Sequence, residues 1–186
     1  MKPKILPRRQ LGDPILRSRS KSISKSEIGS TKINNLVANM HYTMCRVGGV
    51  GIAAVQVGKP IRLFIIDIRP TQHRPQLQPV PKKVIINPQV RSYGKQLTSY
   101  YEGCLSFMNF AKVPRLNTIT VRYTDDHGQV ITETLKGIES RVFQHELDHL
   151  NGTIFVDRVV DTKTYMGLVE YKKRIRQRRS KKYGNL

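Results

Sequence analysis

Residues 137–150 read Gly-Ile-Glu-Ser-Arg-Val-Phe-Gln-His-Glu-Leu-Asp-His-Leu. Ile138, Val142, Phe143, Leu147 and Leu150 recur at the spacing of one helical stripe, and Gly152 stands where such a helix would end. Working outward, residues 117–124 and 131–135 alternate apolar and polar, with Asp125-Asp126-His127-Gly128 supplying the turn of a β-hairpin. Upstream, residues 62–68 read as a strand. Val84 to Val90 reads as another, expected near a sheet edge because Pro88 interrupts it. Residues 69–83 hold four prolines and no period, and read as a surface loop. Ile33, Leu36, Val37, Met40 and Met44 mark an earlier helix from Ser30 or Thr31. Cys45 at its end is read as a small apolar packing residue. A last helix is expected over roughly residues 162–179. This order predicts an α+β fold: mainly antiparallel sheets around a central helix, with a C-terminal helix.

The central helix also carries chemistry. His145 and His149 stand at i and i+4, so both imidazoles project from one face, a spacing that suits two nitrogen ligands on one metal ion. Glu146 lies beside them as a candidate acid or base. Histidine pairs of this kind also occur on ordinary helix surfaces, so the pattern needs support from elsewhere. A catalytic site needs a third protein ligand and an open fourth position. No histidine follows His149, but Tyr101-Glu102-Gly103-Cys104-Leu105-Ser106 places a cysteine on a loop or strand end. Its thiolate is a suitable ligand, because metal binding lowers the thiol pKa. A third segment, Gly49-Val50-Gly51-Ile52-Ala53-Ala54-Val55-Gln56, combines glycines that allow close backbone approach with an amide able to stabilise an oxyanion.

Taken in order, GVGIAAVQ at 49–56, EGCLS at 102–106 and QHELDH at 144–149 resemble the three motifs of the peptide deformylases. Residues 11–17 and 150–158 are similar to that family's segments before and after them. The resemblance implies that Cys104, His145 and His149 bind one divalent metal ion per chain, Fe(II) in the cell, with zinc, nickel or cobalt able to replace it. It implies hydrolytic removal of the N-formyl group from the formyl-methionine of nascent polypeptides by a metal-activated water. Glu146 would move the proton, while Gln56 and the Leu105 N–H would hold the oxyanion. Val50, Gly51 and Gly103 would line the substrate cleft, and Gln144 and Asp148 would orient the ligands. The family also implies an N-formyl-methionyl peptide as partner and a carboxyl-terminal helix that anchors to the ribosome.

One stretch departs from the pattern. Phe107 to Lys112 lacks the family's proline and arginine and is one residue short, with Phe110 near the arginine's place. Glu102 is therefore expected to lack its usual cationic partner, and peptide preference is left open.

The chain has 186 residues and 38% apolar content, which suits one folded domain. Residues 1–30 are expected to form a basic extended arm, 31–170 the metallohydrolase body, and 171–186 a basic helix or tail. Of the net charge of +20, eight Lys or Arg lie in residues 1–26 and eight more in 171–186. Positive charge so concentrated attracts polyanions such as rRNA. No apolar run approaches the roughly 18 residues of a membrane span, and a monomer in the bacterial cytoplasm is expected, with a processed organellar form as an alternative. Three other readings stay open: a zincin-type peptidase, which would assign no role to Cys104; a catalytically weak deformylase paralogue; and an RNA- or ribosome-binding accessory protein.

Overall fold

A computed structural model describes residues 2–70 and 77–183. Helix α1 (Thr31–Arg46) is capped by the Ser30 hydroxyl, which accepts from the Ile33 N–H. Strands β1 (Gly51–Ala53), β2 (Leu63–Ile68), β3 (Val80–Tyr93), β6 (Thr118–Thr124) and β7 (Val130–Lys136) form an antiparallel sheet in the order β1-β2-β3-β6-β7. A second sheet holds β4 (Leu97–Cys104), β5 (Phe107–Leu116) and β8 (Met166–Gly167). Helix α2 (Gly137–Leu150) follows β7 directly, and α3 (Leu168–Tyr183) ends the described chain.

Burial explains the layering. Every residue of β2 is buried, because its two faces are both covered. Phe64, Ile66 and Ile68 pack with Val142, Phe143 and Leu150 of α2, whereas Leu63 and Ile65 join Ile33, Val37, Met40 and Met44 of α1. Strict alternation along the strand therefore serves two cores. A third cluster, Leu16, Cys104, Ala111, Val113, Ile154 and Phe155, lies under the second sheet. Helix α2 contacts strands of both sheets and is buried on nearly all sides. Gly152 ends it at φ +76°; an added Cβ would meet the Arg17 carbonyl oxygen at 2.4 Å. No described helix is long and apolar enough to cross a membrane.

Three expectations change. The strand with Pro88 is not at an edge but in the middle of the five-stranded sheet, between β2 and β6. Proline is accommodated there because the register shifts between Ile86 and Gln89, with Asn87 at φ 51°, so no ladder N–H is asked of residue 88. Strand β3 also starts at Val80, inside the segment read as a loop, of which residues 71–76 lie outside the described residues. The last helix starts at Leu168: Thr162–Thr164 is a short 3-10 turn capped by Asp161, and Met166–Gly167 pairs with Asn109 and Phe110.

The amino-terminal segment is extended but packed. Leu16 and Ile23 are buried, the Leu11 N–H donates to the Ser106 carbonyl, and the Ser20 N–H donates to the Leu150 carbonyl. These bonds brace the turn after Cys104 and the end of α2, where the candidate ligands Cys104 and His149 lie.

Candidate metal centre

Helix α2 is polar where it faces the second sheet. His145 and His149 project toward the end of β4, where Cys104 is buried. The Cys104 Sγ lies 3.3 Å from His149 Nε2, and the ligand atoms of Cys104, His145 and His149 all lie within 4.8 Å of one another. The His145 Nδ1–H donates to Glu102 Oε2 at 2.9 Å, which turns its Nε2 toward the same point.

Charge balance fits a cation there. Burial opposes ionisation of the Cys104 thiol, but charge on His149 and hydrogen bonds from both histidines hold it well below its usual value. Desolvation likewise opposes charge on His145, yet its bonds to Cys104 and Glu102 raise it to about 10. A buried thiolate thus draws positive charge onto the adjacent imidazoles, a role that a divalent ion fills when the three side chains bind it. Sulfur and two imidazole nitrogens form a donor set for zinc or a first-row transition metal.

Glu146 stands over this point from the next position on the helix. Burial raises its carboxyl to about 7, against the charge of His145 and His149, and its Oε2 is buried without a hydrogen-bond partner. Its closeness to β1 explains Gly51: a Cβ there would meet Glu146 Oε1 at 2.4 Å and Val142 Cγ1 at 2.9 Å. Gln56, also buried, accepts the Ala53 N–H at 2.8 Å through Oε1. Its Nε2 donates to Cys104 Sγ at 3.4 Å and Ser106 Oγ at 3.2 Å. Leu105 opens the two-residue turn between β4 and β5, and its carbonyl accepts from Arg8 at 3.2 Å. Val50, Gly51, Gln56, Gly103, Leu105 and Glu146 all border one cleft of about 1160 Å3. Eight of the nine sequence-derived site residues thus border this cleft, and the ninth, the fully buried His149, lies beside Cys104. Gln144 instead bonds the Leu116 backbone, and Asp148 binds Arg115 and Arg158.

The expectation that Glu102 lacks a cationic partner is corrected. Arg115 forks onto it through Nε and Nη2, both at 3.1 Å, and Arg141 Nη1 donates to Oε1 at 2.6 Å. These arginines come from β5 and from α2, one turn before His145, so a loop arginine is not needed. Sequence reading missed them. The available signal was Arg141 itself, a charged residue four positions before a ligand histidine on a helix that must bury that face.

A buried Cys-His-His donor set, an adjacent carboxylate on the same helix and an open cleft define a metal-dependent hydrolase. A family model described as polypeptide deformylase matches residues 5–165. Two relatives named peptide deformylase, from Nostoc sp. and Aquifex aeolicus, are each 38% identical over 160 residues; these cover 86% of this chain and 88% and 92% of theirs. The crystal structure of a class I type b peptide deformylase from Acinetobacter baumannii with bound Met-Ala-Ser superposes with a TM-score of 0.83 at 33% identity. That match covers 86% of this chain and 100% of the other. The chain belongs to the polypeptide deformylase family.

Proposed function

We propose that this chain hydrolyses the N-formyl group from formyl-methionyl peptides. The observation that carries the reading is the Cys104–His145–His149 group, closed to 4.8 Å, with Glu146 unpartnered above it in the cleft. These three residues would hold a divalent ion, Fe(II) in our assignment with zinc, nickel or cobalt as substitutes, and the chemistry it would supply there is Lewis-acid polarisation of the formyl oxygen and a lowered pKa for a water. Glu146, raised to about 7 by burial, is suited to take the proton from the attacking water and pass it to the departing amine. The Gln56 amide and the Leu105 N–H stabilise the oxygen of the tetrahedral intermediate. β1 is the outer strand of its sheet and its start faces the cleft, so a peptide can pair along Val50 and Gly51 as an added strand. Gly103 lies opposite. A Cβ there would meet the Phe110 ring at 2.4 Å.

The test is deformylation of formyl-Met-Ala-Ser by Ni(II)-loaded protein beside Glu146→Ala. The expected result is turnover in the parent and a loss of roughly 100-fold or more in the variant, with metal content unchanged. Equal rates in both would sink the assignment. Replacing Cys104 by Ala separates this reading from a zincin-type peptidase, which would keep its metal.

The working unit in this reading is a monomer, and its place is the bacterial cytoplasm, where formylated chains are made. The basic segment from Lys172 onward is assigned as a ribosome contact through rRNA phosphates. Replacing Lys172, Lys173, Arg176, Arg178 and Arg179 by Glu is expected to release the protein from sedimenting ribosomes and to leave peptide deformylation intact. Unchanged co-sedimentation would refute the contact.

A further inference from the structure

A second group of ligating side chains lies outside the cleft. His41 and Cys45 stand at i and i+4 on the last turns of α1, and Asp67 faces them from β2. Their ligand atoms all lie within 4.8 Å of one another. The Cys45 Sγ is 3.5 Å from His41 Nε2, and that nitrogen donates to Asp67 Oδ2 at 2.7 Å. We propose that His41, Cys45 and Asp67 form a second divalent-metal site, for Zn2+ or an ion of similar softness.

Three observations converge. One thiol, one imidazole and one carboxylate make a donor set for zinc with its fourth position left to water. In a tetrahedral site, sulfur and nitrogen ligands stand about 3.5 Å apart, as Cys45 and His41 already do; His41 and Asp67 need to separate by about 0.7 Å. The cluster already holds a positive charge. The Arg69 guanidinium lies 2.8 Å from Cys45 Sγ through Nη2 and 3.2 Å from Asp67 Oδ2 through Nε. Arg69 follows the end of β2 and its side chain is 45% exposed, so it can swing aside, whereas the Asp67 side chain is only 10% exposed and stays aimed at the helix. The carboxyl end of α1 adds the negative end of its dipole. Binding would take the Cys45 sulfur as thiolate and His41 as the neutral tautomer with its proton on Nδ1. The Asp67 N–H donates to the Val50 carbonyl at 3.0 Å, so an ion here ties the end of α1 to the strand that braces one wall of the cleft.

The test uses protein carrying one Ni2+ per chain, to which Zn2+ is added before gel filtration and elemental analysis. The expected result is one retained Zn2+ beside one retained Ni2+, with alkylation of Cys45 by iodoacetamide suppressed when Zn2+ is present. Cys45→Ser and His41→Ala should weaken Zn2+ binding by about tenfold or more, and Arg69→Gln should tighten it. Total metal fixed at one ion per chain in both the parent and Arg69→Gln would overturn the site and leave an ion-paired cluster only. So would a second Zn2+ bound equally by the Cys45→Ser and His41→Ala proteins.

Discussion

The Glu102 carboxylate accepts the His145 Nδ1–H at 2.9 Å while Arg115 and Arg141 hold its two oxygens. This fixes the ring of a ligand histidine from a different element of the fold. Glu102→Gln should therefore weaken retention of the ion by about 10- to 100-fold, read by competition with a chelator. It should also destabilise the protein by roughly 3–5 kcal/mol, because the buried Arg141 loses its counter-charge and Arg115 is left with Asp148 alone. Undiminished retention would show that His145 needs no partner.

Acid should unfold the protein through the same network. Burial opposes ionisation of Glu102, but the His145 bond and the Arg115 charge hold it well below the usual carboxylate range. Asp148 is lowered likewise by Arg158 and Arg115 against desolvation. Folded values below the unfolded ones, about 4.3 and 3.9, mean that this stability is present above those values and is lost as pH falls through the folded ones. The melting temperature should drop steeply below about pH 4, and less so in Glu102→Gln. A melting temperature that rises on acidification would contradict the sign.

Gly51→Ala places a methyl 2.4 Å from Glu146 Oε1. Displacing that carboxylate by a fraction of an ångström should lower kcat by roughly 100-fold while metal content holds. An unchanged kcat would mean that Glu146 has room to move.

Phe110 stacks on Tyr171 with ring centroids 3.8 Å apart and planes at 7°, joining β5 to the first turn of α3 at the rim of the cleft. Such a pair contributes about 0.5–1.5 kcal/mol. Phe110→Ala should raise KM for formyl-Met-Ala-Ser by roughly two- to tenfold, with kcat little changed. A fall in kcat alone would place Phe110 in the chemistry rather than at the rim.

The elements most legible in advance were those with a strong period and a local signal. Helix α2 runs Gly137–Leu150 as its apolar stripe and Gly152 indicated, and the β6–β7 hairpin turns at the Asp-Asp-His-Gly segment. Pro88 misled, because a proline's missing donor excludes it from a regular ladder, not from a bulge in a central strand. Cys45 packs against the α1 core as read, yet it also has His41 and Arg69 as polar neighbours, and only the fold brings β2 against that turn of α1.

By itself the sequence determined the donors and their order: a thiol, two imidazoles one helical turn apart, a carboxylate between them and an amide upstream. Ligand chemistry and helix geometry are local properties, so adjacency along the chain suffices to read them. Tertiary structure alone decided what surrounds them. That Glu102 is held by Arg115 and Arg141, and that Phe110 meets Tyr171, depend on contacts between residues 13 to 61 positions apart. Such pairings are set by how β4 pairs with β5 and how their sheet packs on α2 and α3, and no periodicity within one segment encodes them.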